Sequence, residues 1–260
     1  MIPKVIHYCW FGGNEKPKLF EKCYNSWKKY CPDYEIIEWN ESNFDLKSCP
    51  RYVIQAYEAK KWAFVTDYVR LKVIYENGGI YFDTDVELKK NPDFLLEYKS
   101  FFGLEKGAYV NTGLGFGAEK GTEILLEMMQ DYNDVPFVKE NGSYDVMPCP
   151  ERNTKVFLEH GLIQNDTKQL LDNGILILPT AILNPMNFET GQIKTTAETV
   201  SIHWYSASWH TKKEQREHRK HRIRTRIIKV ADKIIPDAVL KKLLNEYLYD
   251  IFKQKANNKF

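Results

Sequence analysis

The first forty residues alternate strand, helix and strand, and this order restricts the fold more than any other feature of the chain. Val5–Trp10 is a short apolar run that ends at a Gly-Gly pair, Lys18–Tyr30 carries apolar residues at helical spacing, and Tyr34–Trp39 is again largely apolar. Two strands joined by a helical crossover of this length lie parallel in one sheet. The pattern therefore predicts an α/β fold.

Later segments continue the α/β pattern. Tyr52–Asn77 has helical spacing and stops at Gly78-Gly79, which is where a helix commonly ends. The apolar run that follows, Ile80–Glu87, predicts a strand. Further strands are predicted at Phe101–Leu104, Leu114–Ala118, Ile175–Leu178 and Val200–Trp204, with a helix at Gly121–Asp131. We expect one α/β domain over residues 1–209 and a basic helical tail over residues 210–260.

The tail is strongly basic although the chain as a whole carries a net charge of only +2. Residues 210–260 hold 15 Lys and Arg against 6 Asp and Glu, whereas residues 1–209 hold 22 against 29. From Ile227 onward, apolar residues recur at roughly helical spacing with lysines between them, which is typical of a helix at an anionic membrane surface. The alternative is a helical pair packed on the domain with its charges in solvent. Nucleic acid is not an expected partner, because no recognition motif accompanies the charge.

Other features of the chain bear on its compartment. No apolar run approaches the roughly 20 residues that a spanning helix needs, and the N-terminus lacks the basic and apolar regions of a secretory signal. The five cysteines are odd in number and contain no C-x-x-C pair, which argues against a disulfide framework and a structural zinc site. We expect a cytoplasmic protein that can lie peripherally at the cytoplasmic face of a membrane.

The strongest chemical signal is Asp83-Thr84-Asp85 at the end of the strand that follows the Gly-Gly pair. In an extended segment, side chains two residues apart point to the same side. Two converging carboxylates repel each other and favour a bound cation, and Mg²⁺ or Mn²⁺ prefers carboxylates together with phosphate oxygens. The sequence thus predicts a divalent cation at Asp83 and Asp85, placed at the sheet edge where α/β proteins bind ligands.

Three further polar residues have weaker signals. Asp67 and Arg70 are three residues apart on the preceding helix and share one face, where they suit sugar hydroxyls and phosphate. The alternative for this pair is an intrahelical ion pair in solvent. His7, on the first strand, is expected to be a hydrogen-bonded core histidine.

Three separated motifs resemble glycosyltransferase family 32, which contains capsular-polysaccharide and Och1-like transferases and has the clostridial glucosylating toxins as distant relatives. The run Ala63–Glu87 resembles its D-x-D sugar-binding region, and the opening IPKVIHYCWFGG resembles its first strand and loop. His203–Trp209 resembles its late H…SW element. The resemblance implies a GT-A fold, transfer of a sugar from a nucleotide-sugar, usually UDP-linked, with retention at the anomeric carbon, and Mn²⁺ or Mg²⁺ as cofactor.

The resemblance also implies roles for residues of the first two motifs. Trp10 resembles the aromatic residue that stacks on the nucleotide base. Asp67 and Arg70 resemble the pair that holds ribose and donor-sugar hydroxyls. Asp83 would contact the ribose or sugar and reach the metal through water, and Asp85 would bind the metal directly.

The late element of the family supplies a metal or phosphate ligand and a tryptophan that touches the leaving diphosphate. His203, Ser208 and Trp209 are the corresponding candidates, with His203 as the metal ligand. Asn111, in VNTGLGFGAEKG, resembles the polar residue near the acceptor side of the donor sugar.

The leading hypothesis is a retaining, metal-dependent glycosyltransferase that acts on a lipid-linked or otherwise membrane-proximal glycan acceptor in capsular or cell-surface polysaccharide synthesis. The alternative is a non-catalytic, metal-dependent protein that binds a nucleotide-sugar or a glycan. Retention can use a carboxylate nucleophile or same-face attack guided by the leaving phosphate. No unassigned Asp or Glu lies in a motif that requires the first route, so the second is favoured.

Overall fold

The computed structural model describes residues 1–206 and scattered positions between Arg216 and Lys242. The described residues form two compact units: Met1–Met186 with the segment from Lys194 to Ser206, and Asn187–Ile193 with the described positions beyond residue 210. The domain boundary at residue 209 remains a prediction, and most of the predicted tail lies outside the described residues. Among the described residues, no helix combines the length and apolar character needed to cross a membrane.

The first unit contains the elements of the α/β fold. The helices are α1 (Lys18–Tyr30), α2 (Arg51–Glu58), α3 (Trp62–Asn77), α4 (Glu123–Gln130), α5 (Cys149–Glu159) and α6 (Thr180–Leu183). The strands are β1 (Val5–Cys9), β2 (Glu35–Trp39), β3 (Gly79–Tyr81), β4 (Val86–Leu88), β5 (Ser100–Glu105), β6 (Tyr109–Val110), β7 (Phe116–Ala118), β8 (Gln169–Leu171), β9 (Ile175–Leu178) and β10 (Ser201–His203).

A mixed sheet occupies the centre of this unit, in the order β2-β1-β3-β7-β5-β9-β8, with β6 paired to β5. β1 runs parallel to β2 and β3, and β5 runs parallel to β9. β7 is antiparallel to both β3 and β5, so these two strands point the same way and end at the same edge. The predicted α/β class is confirmed, as is the mixed sheet flanked by helices that a GT-A fold implies.

Two apolar clusters hold the helices to the sheet. The first joins α2, α3, α4 and α5, through residues such as Val69 and Phe157, to strand residues that include Phe102 and Phe116. The second packs α1 around Trp27, which has no exposed surface. The Trp27 indole Nε1 also donates a hydrogen bond to the Val86 carbonyl oxygen at 2.7 Å, which fixes the chain just beyond Asp85.

Two predicted elements are each divided in the structure. The helix predicted over Tyr52–Asn77 breaks into α2 and α3, because Lys60 adopts a φ of 56° that α-helical hydrogen bonding does not allow. The strand predicted over Ile80–Glu87 is interrupted by a turn, in which the Val86 N–H donates to the Asp83 carbonyl oxygen at 3.0 Å. β3 remains in the main sheet, whereas β4 pairs with β10 in a separate two-stranded sheet.

The predicted end of the long helix at the Gly-Gly pair is confirmed. Gly78 has a φ of 72° and its N–H donates to the Ile74 carbonyl oxygen at 2.7 Å, which caps α3. A residue with a side chain would be strained at this φ, so glycine allows the sharp entry into β3.

Candidate functional site

The D-x-D segment lies at the sheet edge where β1, β3 and β5 end. Asp83 and Asp85 belong to the turn between β3 and β4, so their convergence comes from a turn and not from the strand alternation expected from the sequence. The antiparallel pairing of β10 with β4 sets His203 opposite Val86. As a result, ligand atoms of Asp83, Asp85 and His203 lie within 4.8 Å of one another.

Asp85 is the most strongly held member of this cluster. Its Oδ1 lies 3.0 Å from His203 Nε2, and its Oδ2 accepts a hydrogen bond from the Ser206 N–H at 2.7 Å. The Trp204 N–H donates to its backbone oxygen at 3.0 Å. Burial alone would raise the pKa of Asp85, but His203 and the Ser206 N–H outweigh burial and hold that pKa at about 2. Asp85 is therefore ionised and fixed in orientation.

Only one of the two ring nitrogens of His203 has a hydrogen-bond partner among the described residues. Burial disfavours its charged form, but Asp85 outweighs burial and raises the pKa of His203. Its other ring nitrogen, Nδ1, is buried and has no hydrogen-bond partner among the described residues. A purely structural buried ion pair normally has all its polar atoms paired. The donor set of two carboxylates and one imidazole suits a divalent cation, so these residues fit the metal that the resemblance implies.

Arg70 joins the α3 helix to the D-x-D turn. It is 3% exposed and pairs with Asp67, and its Nη1 lies 3.5 Å from Asp83 Oδ2. Its Nε donates to the Thr66 carbonyl oxygen at 3.0 Å, and its guanidinium stacks over the Tyr81 ring. The ion pair between Asp67 and Arg70 is therefore present, but it is buried beside the turn and does not lie on a solvated face.

The Asp83 carboxyl group accepts a hydrogen bond from Tyr81 and has a raised pKa. The Tyr81 hydroxyl donates to Asp83 Oδ1 at 2.9 Å. Burial raises the pKa of Asp83, and Arg70 opposes that rise. Burial likewise raises the pKa of Asp67 against the opposing effect of Arg70. One guanidinium therefore faces two carboxylates, the buried Asp67 and the partly exposed Asp83, which leaves the pocket with more negative than positive charge and favours a cation.

Asn111 reaches the same cluster through Gly113. Its Oδ1 accepts a hydrogen bond from the Gly113 N–H at 2.7 Å. A Cβ atom on Gly113 would lie 2.6 Å from Asp83 Oδ2 and 3.0 Å from both Arg70 Nη1 and Asn111 Oδ1. Glycine is therefore required sterically where this loop crosses the D-x-D turn.

The remaining residues predicted for the site divide into two groups. Trp10 directly follows β1 and so lies at the same sheet edge; it is half-buried, and its Nε1 donates to the Asn14 carbonyl oxygen at 2.8 Å. Ser208 and Trp209 lie outside the described residues.

Sequence reasoning did not identify Tyr81, Glu105, Tyr205 or Ser206, all of which contact residues of the site. Glu105 ends β5, and the end of a predicted strand at Leu104 was an available signal for it. The Tyr205 ring packs on His203 with centroids 4.2 Å apart, and its φ of 48° marks a sharp turn after β10. No local pattern distinguishes such a turn residue from other tyrosines.

Similarity to known proteins covers the same region. Residues 17–102 match the family described as "Glycosyltransferase sugar-binding region containing DXD motif". The chain is 29% identical over 134 residues to inositol phosphoceramide mannosyltransferase 3 of Schizosaccharomyces pombe, and the match covers 50% of this chain and 37% of that protein. It is 25% identical over 198 residues to an uncharacterized glycosyltransferase of Acanthamoeba polyphaga mimivirus, covering 72% and 74%.

Among solved structures, the chain is similar to one titled "PaToxG Glycosyltransferase". The TM-score is 0.47 at 19% identity, with 61% of this chain and 69% of that chain covered. The match thus spans about a third of the S. pombe protein and about two thirds or more of the other two.

Proposed function

We propose that the chain transfers a sugar from a nucleotide-sugar to a glycan acceptor, with a divalent cation as cofactor. The premise is that residues 17–102 carry the sugar-binding region of the D-x-D glycosyltransferases, in agreement with the resemblance to glycosyltransferase family 32. The observation that carries the proposal is the convergence of Asp83, Asp85 and His203 beside the buried Asp67–Arg70 pair. These groups come from three separate parts of the chain and meet at one sheet edge.

Asp83, Asp85 and His203 would hold Mn²⁺ or Mg²⁺. When bound, the cation supplies positive charge that stabilises the nucleoside diphosphate leaving group. The ionised Asp85 is oriented by the Ser206 N–H, which prepares one carboxylate oxygen for a ligand role without rearrangement. His203 would have to be neutral to act as a ligand of the cation.

Asp67 and Arg70 would bind hydroxyl groups of the donor. Arg70 is held by Thr66, Asp67 and Asp83 and cannot turn away from the site. Its remaining donor capacity and the free lone pairs of Asp67 suit ribose or sugar hydroxyls. Trp10, at the end of β1, would stack on the base, and Ser208 and Trp209 would approach the diphosphate.

Transfer then depends chiefly on positioning and on charge, because a nucleoside diphosphate leaves readily and a hydroxyl nucleophile needs little covalent help. We assign the donor as UDP-linked and the transfer as retaining, with same-face attack as the route. The S. pombe relative is named as a mannosyltransferase of inositol phosphoceramide, which supports a lipid-linked acceptor here and makes a GDP-linked mannose donor a necessary comparison. The basic tail would bring the site to an anionic membrane surface.

The first test is release of free nucleotide from UDP-glucose, UDP-galactose, UDP-N-acetylglucosamine and GDP-mannose in the presence of Mn²⁺. Wild type is compared with Asp85→Asn, and Asp134→Asn serves as the control because Asp134 is exposed and far along the chain from the site. We expect slow, metal-dependent hydrolysis of one donor by wild type and by the control, and loss of it in Asp85→Asn.

Direct Mn²⁺ binding in the presence of UDP or GDP provides the second readout. We expect Asp85→Asn to weaken it by at least the roughly 10–100-fold seen when groups that support a ligand are removed. Equal Mn²⁺ affinity in wild type and Asp85→Asn would contradict the proposed site. Tight binding of nucleotide-sugar without hydrolysis or transfer to any acceptor would favour the alternative, a non-catalytic binding protein.

The tail is tested separately from the donor site. Deleting residues 212–260 and measuring sedimentation with vesicles of anionic phospholipid asks whether the tail is needed at the membrane. Undiminished binding after deletion would show that it is not.

A further inference from the structure

A second carboxylate, Glu105, lies at the same sheet edge as the D-x-D turn. β3 and β5 are both antiparallel to β7 and so point the same way, which brings the ends of both strands to one edge. Tyr81 ends β3 two residues before Asp83, and Glu105 ends β5. The loop from Asn111 to Gly115 bridges the two strand ends before the chain enters β7.

One oxygen of Glu105 is anchored by both sides of the site. Its Oε2 accepts hydrogen bonds from Asn111 Nδ2 at 2.8 Å and from the Tyr205 hydroxyl at 3.4 Å. Asn111 connects through Gly113 to the Asp83 carboxylate, and Tyr205 packs on the His203 ring. Glu105 therefore spans the gap between the D-x-D turn and the segment that follows β10.

The other oxygen of Glu105 has no such partner. Oε1 accepts no hydrogen bond from the part of the chain that the structure describes, although the residue is only partly exposed. Burial raises the pKa of this carboxyl group, and the Asn111 amide opposes the rise. Oε1 is also not among the buried side-chain atoms that lack a partner, so this oxygen is open to solvent and to a ligand. Here the rest of the side chain is fixed, so the free oxygen keeps one direction and can act as a preformed acceptor for a donor group of the substrate.

We propose that Glu105 is a specificity-determining residue whose Oε1 accepts a hydrogen bond from a hydroxyl group of the sugar being transferred; this inference rests on the proposed function. Sugars present several hydroxyl donors, and a hydrogen bond from a hydroxyl group to an ionised carboxylate is stronger than one to a neutral acceptor. The donor sugar is favoured over the acceptor because both anchors of Glu105 belong to the walls of the donor site, Asn111 beside Asp83 and Tyr205 beside His203.

The test compares binding of a nucleotide-sugar with binding of the matching nucleoside diphosphate, each with Mn²⁺. The donor is whichever member of the four-donor panel wild type hydrolyses fastest, so that UDP or GDP is the matching diphosphate. In Glu105→Gln the amide oxygen can still accept from Asn111 and Tyr205, while an N–H₂ group replaces the free acceptor. We expect this variant to bind the diphosphate as wild type does and to lose about 10- to 100-fold in affinity for the nucleotide-sugar, the range of one hydrogen bond to a charged group.

Glu97→Gln is the matched control, since it removes the same charge from an exposed glutamate. Its affinities for diphosphate and nucleotide-sugar should equal those of wild type. Glu105→Asp, which withdraws the carboxylate by one methylene, provides a second variant if Glu105→Gln has a lowered melting temperature, and it should show the same selective loss.

The outcomes separate this inference from the proposed function. Failure of wild type to bind any nucleoside diphosphate with Mn²⁺ would remove the proposed function itself. Normal diphosphate binding with an unchanged preference for the nucleotide-sugar in Glu105→Gln and Glu105→Asp would overturn the inference alone. Unchanged donor binding and hydrolysis with impaired transfer to an acceptor would also overturn it, and would assign Glu105 to the acceptor.

Discussion

His7 provides a pH-dependent test of how the strand that carries the D-x-D turn is held. It lies in β1 and is 1% exposed, and its Nδ1 lies 3.0 Å from Trp39 Nε1. Its Nε2 lies 3.0 Å from the Gly78 carbonyl oxygen. Because an indole N–H can only donate, Nδ1 must accept, so Nε2 carries the proton and donates to Gly78. The neutral ring thus joins β1, β2 and the entry to β3, as expected of a core histidine.

Protonation of His7 would place a new N–H against the Trp39 N–H. Burial lowers the pKa of His7 from 6.5 to about 4, although the hydrogen bond to Gly78 opposes that change. On acidification, the unfolded chain binds a proton near pH 6.5, whereas the folded protein binds it only near pH 4. The free energy of unfolding therefore falls as the pH drops through this window, by about 3 kcal/mol in all, and His7 adds no pH dependence above it.

The perturbation is His7→Gln, whose amide N–H₂ can still donate to Gly78 but whose carbonyl oxygen does not take the position of Nδ1 beside the Trp39 N–H. At pH 7.5 we expect a loss of about 1–3 kcal/mol for the unpaired indole N–H. Between pH 7 and pH 4, wild type should then lose about 3 kcal/mol more than the variant, so that the gap between them closes or reverses. Urea unfolding at several pH values in this range measures both effects.

His7→Phe is the matched control, since it also removes the titrating group but leaves both Trp39 and Gly78 unpaired. It should be less stable than His7→Gln at every pH and show the same difference in pH dependence from wild type. A gap between wild type and both variants that stays constant from pH 7.5 to pH 4 would refute the reasoning, because no buried neutral histidine would then contribute.

Three further substitutions test the surroundings of the D-x-D turn. Gly113→Ala would place a Cβ atom 2.6 Å from Asp83 Oδ2, and we expect about 1–3 kcal/mol of overpacking together with weaker Mn²⁺ binding in a titration with UDP or GDP; unchanged Mn²⁺ affinity would contradict this. Arg70→Lys cannot contact both carboxylate partners, and thermal unfolding should show a loss of several kcal/mol, up to about 3–5. Trp27→Phe removes the 2.7 Å hydrogen bond to the Val86 oxygen, so it should lower stability by about 1–3 kcal/mol and reduce metal-dependent hydrolysis, whereas full activity would show that this bond does not position the turn.

Local sequence patterns predicted most of the fold around the site. The opening strand-helix-strand order predicted the parallel pairing of β1 and β2, and the Gly-Gly pair predicted the end of α3. The patterns were wrong where a local conformation overrode the spacing. Lys60 divides the long helix at a left-handed φ, and the D-x-D segment forms a turn because β3 and β4 belong to different sheets. Hydrophobic spacing carries no information about either event.

The sequence by itself determined the parts of the site that lie within a few residues of one another. Asp67 and Arg70 share a helix face because they are three residues apart, and local backbone geometry is enough to fix that pair. Asp83 and Asp85 are near each other because one residue separates them, although the turn that brings their carboxylates together was not predicted.

Only the tertiary structure decided which distant groups join them. His203 reaches Asp85 through the pairing of β10 with β4, and Glu105 reaches the same edge because β7 runs antiparallel between β3 and β5. Strand order and direction follow from how the whole chain buries its apolar faces. The local motifs therefore contain the charged residues of the site, whereas these residues converge only when the sheet is assembled. The same assembly produces the burial that raises the pKa of Asp83 and the contact with Asp85 that raises the pKa of His203.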